Sequence, residues 1–324
     1  MRWAALLGAA CAACAACAAA GQHGAETQER AWPVSAAWEE RDGRAAREAV
    51  LAGAEAGAAP GAARRSLLLG AQTAVAWSKF YMAAFKHNAT TRDVLCAGVL
   101  VTSSYVLTSA QCGQLAFPAN GQPATVMIGT VYPYSLYMGG LVRTAKRLRL
   151  HPDWDPASKA NDIALVQLTG SAPAMYVPVA LARFGGKSEA SSLWETAIVT
   201  GWGWDKATKS KTTWWRLEQY APIVNVSVCT GPGRYDAARL QPTSICAGYL
   251  SKAGLGPCVG DLGDPLILEF GTKDTSDVLF GLFSWADGCG VKNKLGVYTL
   301  VRPYTSWIQS TVGTKLRLEP QTSA

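Results

Sequence analysis

The sequence predicts an all-β protein, a sandwich or a pair of barrels, closed by one late helix. Three observations carry this. From Leu67 onward, short runs of β-branched and aromatic residues alternate with Gly, Pro, Asn and Ser turns. One segment has convincing i, i+4 apolar spacing, and it is terminal, running from Pro303 through Trp307 and Ile308 to Val312. Six cysteines, Cys96, Cys112, Cys229, Cys246, Cys258 and Cys289, are spread through the strand-rich region. An even set of this kind in a secreted chain points to three disulfides.

Along the chain the strand candidates are Val94–Val101, Val106–Ser109, Thr125–Ile128, Ile163–Leu168, Ala197–Thr200, Val278–Ser284 and Gly296–Val301. Several are almost continuously apolar, as expected of strands inside a barrel core. Gly313 stops the helix, and 314–324 reads as a flexible polar tail. No internal repeat is visible.

The 324 residues allow one domain of about 250 residues or two smaller ones. Residues 1–20 read as a signal peptide: Arg2 is a minimal positive start, Trp3 to Ala20 is apolar, and Ala18 and Ala20 precede Gly21. So much alanine makes a weak membrane anchor, so secretion without membrane attachment is expected. Residues 21–65 are rich in Ala, Glu and Arg, lack β-patterning, and read as a pro-segment or flexible spacer ahead of a folded domain at 66–313. Cys11, Cys14 and Cys17 would leave with the leader. The remaining six allow fifteen pairings. No Cys-x-x-Cys pair survives among them and no histidine lies near them in sequence, so neither a metal nor a cofactor is expected.

The formal charge is +7, and the whole excess lies beyond residue 65. Apart from Arg143 to Arg149 the basic residues are dispersed, so nucleic acid is not an expected partner. Only His23, His87 and His151 are present, which leaves few candidates for an imidazole base.

Several segments carry more than strand pattern. VLTSAQC (Val106 to Cys112) resembles the segment that ends the histidine loop of trypsin-like serine proteases. NDIALVQL (Asn161 to Leu168) resembles that family's aspartate segment, and Gly201-Trp202-Gly203 its GWG turn. CVGDLGDPLI (Cys258 to Ile267) resembles the nucleophile segment, whose usual core is GDSGGP. SWADGCG (Ser284 to Gly290) and GVYTLV (Gly296 to Val301) resemble the pocket strands, and YTSWI the closing helix. These landmarks come in family order from Leu67 to Ile308. The resemblance implies two packed six-stranded antiparallel barrels with a site between them. It also implies the pairs Cys96–Cys112, Cys229–Cys246 and Cys258–Cys289. Loops of this size contribute about 3 kcal/mol each.

Carried over residue by residue, the resemblance assigns the aspartate to Asp162, the histidine position to Gln111 and the serine position to Leu262. A carboxamide does not titrate near neutral pH, and an isobutyl group has no atom that attacks a carbonyl. Gly260 and Leu262 would still offer backbone donors to an oxyanion. Asp264 stands where the family has glycine. It reads as an exposed turn aspartate, the alternative being a replacement acid or base. The specificity-pocket positions are Gly256, Ser284, Ala286 and Gly296; Gly256 replaces the aspartate that pairs with Lys or Arg, and Ala286 replaces a glycine and narrows the entry. His151 begins HPDW, remote from the site. Asp261 is the implied partner of a cleaved N-terminus, with Arg64-Arg65 a plausible processing point before Ser66.

A dead protease that keeps its disulfides suggests binding. The RSLLLG start and the GWGW turn resemble the glucanase inhibitor proteins of plant-pathogenic oomycetes, secreted and catalytically inactive relatives that bind host endoglucanases. That resemblance implies an extracellular inhibitor with a protein partner, an extracellular glycoside hydrolase, and a monomer is expected. Trp204, Trp214 and Trp215 are the candidate anchors, since Trp is favoured at interfaces; Trp202 reads as core. Asn88 and Asn225 begin N-glycosylation sequons. The alternatives are a non-inhibitory adhesive module and a serine-type endopeptidase with rearranged catalytic groups.

Overall fold

The computed structural model describes residues 71–321 except 76–77, 92, 120, 135–139, 184–194, 204–214, 251–255 and 259, all within the compact unit Pro60–Ala324. The expected signal peptide, spacer and processing point lie outside the described residues.

Strand β1 (Gln72–Thr73) is a short edge piece. The next six, β2 (Met82–Lys86), β3 (Val94–Thr102), β4 (Tyr105–Thr108), β5 (Thr125–Ile128), β6 (Leu141–Leu150) and β7 (Ala164–Leu168), close an antiparallel barrel in the order β2-β3-β4-β7-β6-β5. After β8 (Ala180–Leu181) come β9 (Thr196–Gly201), β10 (Leu217–Val224), β11 (Ser244–Ala247), β12 (Pro265–Glu269), β13 (Asp277–Trp285) and β14 (Gly296–Leu300). They run in the order β10-β11-β14-β13-β12-β9, and β9 pairs back with β10, closing the second barrel of six. β1 adds to β10, and β8 lies parallel to β13. The implied pair of six-stranded barrels is therefore what the chain forms.

All seven expected strands are present, with ends moved by a residue or two. Three of the strands the sequence pattern did not single out have identifiable disguises. β6 reads LVRTAKRLRL, with most of its side chains at least partly exposed and a register shift between Ala145 and Arg147 that breaks the period of two. β10 carries Pro222, a residue that argues against a strand, yet it buries Leu217, Gln219, Ala221 and Ile223 on alternate positions. β2 is buried at every position, and its small alanines give little signal.

The three disulfides pair as the resemblance implies, Cys96–Cys112, Cys229–Cys246 and Cys258–Cys289, with Cα separations of 5.7, 6.5 and 4.7 Å. Among the helices, α1 (Ala110–Ala116) follows β4, α2 (Val226–Cys229) follows β10, and α3 (Thr305–Val312) closes the fold. Gly313, with φ +67°, caps α3 in the left-handed conformation that only glycine adopts freely. The segment expected to be a flexible tail is instead held as far as Glu319. Leu316 and Glu319 are buried, and Leu181 exchanges backbone hydrogen bonds with Arg317 and Glu319 at 2.9 and 3.1 Å. The unpaired edge of the two-residue β8 gives this otherwise polar stretch a template. No helix among the described residues is long and apolar enough to cross a membrane.

A buried ionic network ties the chain before β2 to the second barrel. Lys79 Nζ lies 2.8 Å from Glu269 and 3.3 Å from Asp277, and the Tyr81 hydroxyl donates to Asp277 at 2.6 Å. Burial works against the ammonium, but Asp277, Glu218 and Glu269 outweigh it and hold Lys79 above the usual lysine range.

Candidate functional site

Asp162 is completely buried just before β7, where an aspartate without partners would be very costly. Its partners come from both barrels. α1 begins at Ala110 with Ser109 as N-cap, its hydroxyl accepting from Cys112 N, and the Cys96–Cys112 disulfide pins the helix to β3. This sets Gln111 over the carboxylate. Gln111 N donates to Asp162 Oδ1 at 3.0 Å and Gln111 Nε2 donates to Oδ2 at 2.6 Å. From β13 of the second barrel, Ser284 Oγ donates to Oδ2 at 2.5 Å. Burial pushes the Asp162 carboxyl above its ordinary value, and the Ser284 and Gln111 donors pull it back.

The orientation of the Gln111 amide follows from its partners. Nε2 also donates to the Ser284 carbonyl at 3.0 Å. Asp162 Oδ2 and Ser284 O are both acceptors, so only the NH2 end can face them. Both amide protons are thereby used. The Gln111 side chain can hold Asp162 and bridge the barrels, but it has no site for accepting a proton near neutral pH.

Leu262 sits in the turn before β12. It is partly buried and packs against the core of the first barrel, and its carbonyl accepts from Ala97 N at 3.0 Å. The next residue explains the close approach: Gly263 has φ +76°, and a Cβ there would strike Thr108 Oγ1 and Ala97 O. The turn is thus pressed onto the residues that precede α1, which brings Leu262 to the same end of the barrels as Gln111 and Asp162. Among the described residues, neither the Gly260 nor the Leu262 backbone N–H donates to an acceptor.

The remaining residues sort by place. Gly256 is buried with φ +138°, and Gly296 is buried against Pro257, with no room for a Cβ. Ala286 is partly exposed and packs on the core of the second barrel. His151 meets Tyr304 edge-to-face and Trp307 at a tilt, with ring centroids 5.1 and 5.0 Å apart, as part of the packing around α3. Trp202 is buried, its indole donating to Val131 O at 3.2 Å. Trp215 is 44% exposed and leans on Tyr132. Trp204 and Trp214 lie outside the described residues. Asn88 and Asn225 are exposed, each carboxamide oxygen turned to its own following backbone N–H groups.

Asp264 departs from expectation. It is not an exposed turn aspartate but fully buried, with its carboxyl in the space a Cβ on Gly201 would occupy; Asp261 does the same over Gly203. Gly201→Ala or Gly203→Ala is therefore expected to lower stability by about 1–3 kcal/mol, the usual cost of overpacking, read from thermal or denaturant unfolding.

Sequence reasoning also missed a clamp beside Ser284. Arg239 forms a two-pronged ion pair with Asp287 at 2.7 and 2.9 Å, and its guanidinium lies 4.5 Å from the Trp285 ring centre. The partners are 48 residues apart with no motif linking them, so nothing local announces the contact.

Comparison with known proteins agrees with this architecture. The family model described as Trypsin matches residues 69–308. Serine protease 56 of Mus musculus is 34% identical over 230 residues, covering 66% of this chain and 34% of that protein. Glucanase inhibitor protein 3 of Phytophthora sojae is 30% identical over 249 residues, covering 77% of this chain and 90% of that protein. Coagulation factor XII of Sus scrofa is 34% identical over 221 residues, covering 66% of this chain and 35% of that protein. The chain thus spans about a third of serine protease 56 and of coagulation factor XII, and nearly all of the glucanase inhibitor. A match that runs through both barrels, from before β1 into α3, makes this chain a member of the trypsin family.

Proposed function

We propose that this protein is a secreted pseudoprotease that binds, and inhibits, a partner hydrolase of the endoglucanase class. In this reading Gln111, Asp162 and Leu262 stand where a peptidase has its base, its orienting carboxylate and its nucleophile. The observation that carries it is the Gln111 amide, whose protons both go to Asp162 and Ser284, so that the residue beside the aspartate braces the cleft and cannot relay a proton. Gly260 and Leu262 N–H are the remnant of an oxyanion site, and Gly256, Ser284, Ala286 and Gly296 line a pocket without a charge for Lys or Arg.

The partner class rests on the likeness to glucanase inhibitor proteins 2 and 3 of Phytophthora sojae, each 30% identical over more than three quarters of this chain. Three disulfides fit an oxidising, extracellular compartment. Residues 1–20 act as the signal peptide, 21–65 as a pro-segment or spacer and 66–313 as the binding domain. Asn88 and Asn225 carry the glycans, and the molecule is a monomer that uses Trp204, Trp214 and Trp215 as anchors. No metal, cofactor, nucleic acid or membrane enters this reading.

Titration of purified endoglucanases with the secreted protein tests the reading. At least one should be slowed in a saturable way and co-elute as a stoichiometric complex on gel filtration. Trp214→Ala with Trp215→Ala should weaken that complex by about 30-fold or more, the effect of losing an interface anchor. A folded protein that neither binds nor slows any endoglucanase in a broad panel overturns the partner assignment.

A second reading has its own support. Serine protease 56 of Mus musculus is 34% identical to the chain over 230 residues, so a peptidase with rearranged groups is the rival. Hydrolysis by the purified protein decides between the two.

A further inference from the structure

The turn that carries Leu262 rests on two acids the proposed function does not use. Asp261 and Asp264 are both completely buried, with their carboxyl groups packed over Gly203 and Gly201 at the end of β9. Asp264 N donates to Asp261 O at 2.9 Å, closing the turn, and Cys258 N donates to Asp261 Oδ2 at 2.6 Å. The Gly203 N–H also favours the Asp261 carboxylate, but among the described residues neither Asp264 oxygen receives a donor and the buried Tyr298 hydroxyl of β14 has no partner. Two ionised carboxylates in contact, without a cation and out of water, are not a sustainable arrangement. One proton between them resolves it, because it converts one acceptor into a donor and removes one of the two charges.

We infer that Asp264 is a positioning residue that stays protonated, donates its proton to Asp261 in a buried acid pair, and so holds the 260–264 turn in shape without an ammonium from a cleaved N-terminus. Asp264 acts on the cleft through Asp261 and the turn. The inference does not depend on which partner the cleft binds. The uncut chain, whose Ser66 has no free amine, is already able to keep Asp261 buried.

The groups facing the pair are few. Tyr298 approaches from β14, and burial, followed by the two acids, pushes its hydroxyl well above the ordinary range. Thr200 and Gly201 of β9 and Phe283 of β13 bring no charge. Among the described residues no lysine or arginine acts on either acid. Burial raises Asp261 to about 7, with the Cys258 N–H pulling the other way, and burial followed by the Asp261 charge raises Asp264 well above its ordinary value. A carboxyl raised on folding adds stability that is complete below the unfolded value of about 4 and is lost as pH rises through the folded value. The pair therefore favours the fold most under mildly acidic conditions, with the loss spread between about pH 4 and pH 7 and beyond.

The experiment uses the full-length disulfide-bonded protein and two variants. Infrared spectroscopy at neutral pH should show the carbonyl stretch of a protonated, exchange-protected carboxyl in the wild type, and Asp264→Asn should remove it. Asp264→Asn keeps a permanent N–H donor, so it should fold, should bring the Asp261 titration from near 7 towards the ordinary carboxylate range, and should flatten the fall of unfolding midpoint between pH 5 and 8. Asp264→Ala removes the donor and should lower the unfolding midpoint at pH 7 more than at pH 5. The inference is overturned if the wild type has no such carboxyl band, or if Asp264→Asn and Asp264→Ala both keep the wild-type pH slope. It is equally overturned if the turn becomes protease-resistant only after cleavage behind Arg65. Each readout is independent of glucanase binding, so the two ideas can fail separately.

Discussion

Placing histidine at 111 and serine at 262 together is expected to give this chain covalent labelling by a fluorophosphonate probe, while the wild type and each single variant stay unlabelled. The geometry supplies everything else. Asp162 already receives a backbone donor from residue 111 at 3.0 Å and the Ser284 hydroxyl at 2.5 Å, so an imidazole at 111 would find its orienting carboxylate in place. Gly263 presses the turn against Thr108 and Ser109, so residue 262 lies next to the segment that leads into residue 111. The Gly260 and Leu262 N–H groups have no other acceptor among the described residues. Members of such a triad act as a unit, and losing one costs about as much as losing all, roughly a million-fold. Gln111→His alone lacks a nucleophile and Leu262→Ser alone lacks a base, so neither should rise above background. The observation that would sink the inert reading is peptide hydrolysis by the purified wild type that Asp162→Ala or Asp264→Ala abolishes.

Lys79→Met should be the most destabilising single change outside the disulfides. Lys79 is 3% exposed, and its ammonium neutralises Glu269 at the end of β12 and Asp277 at the start of β13. Methionine fills the stem volume but leaves Asp277 with only the Tyr81 hydroxyl as donor. Removing one partner of a buried pair costs about 3–5 kcal/mol, because the remaining charge is stranded. Urea unfolding should register a loss of that order at pH 7. The pH dependence supplies a check on sign. Burial already pushes Asp277 up to about 6 in spite of Lys79. A raised carboxyl contributes stability that is present below about pH 4 and lost as pH rises through its folded value. Without Lys79 that folded value climbs further, so the penalty in Lys79→Met should grow from pH 5 to pH 8. Asp277→Asn in the Lys79→Met background should return part of the loss, since a neutral amide needs no counter-charge. A loss below about 1 kcal/mol, flat across this range, would show the network to be a surface-like pair.

Much of the site was legible in the chain because its members sit in short, ordered segments. VLTSAQC, NDIALVQL and CVGDLGDPLI carry Gln111, Asp162 and Leu262, and the implied disulfide pairs and two-barrel fold came with them. What stayed hidden depends on long-range closure. Asp264 reads as a turn residue from its neighbours, GDLGDP, and only the packing of that turn over Gly201 and Gly203 makes it buried. Lys79 and Asp277 are ordinary surface charges by sequence until the fold buries them together, and Arg239 meets Asp287 only because their two loops are brought side by side at the surface. The tail from 314 looks loose until β8 offers it an edge.

Residue identity by itself determined which groups are chemically able to act, since a carboxamide and an isobutyl group keep their limits in any fold. Apolar β-branched runs and turn chemistry determined seven of the strands, because side-chain pattern and glycine geometry are local properties. The tertiary structure alone decided which acids lose their water and which donors they receive in exchange. Burial and hydrogen bonding belong to surfaces brought together by the two barrels, and no stretch of chain holds that information on its own.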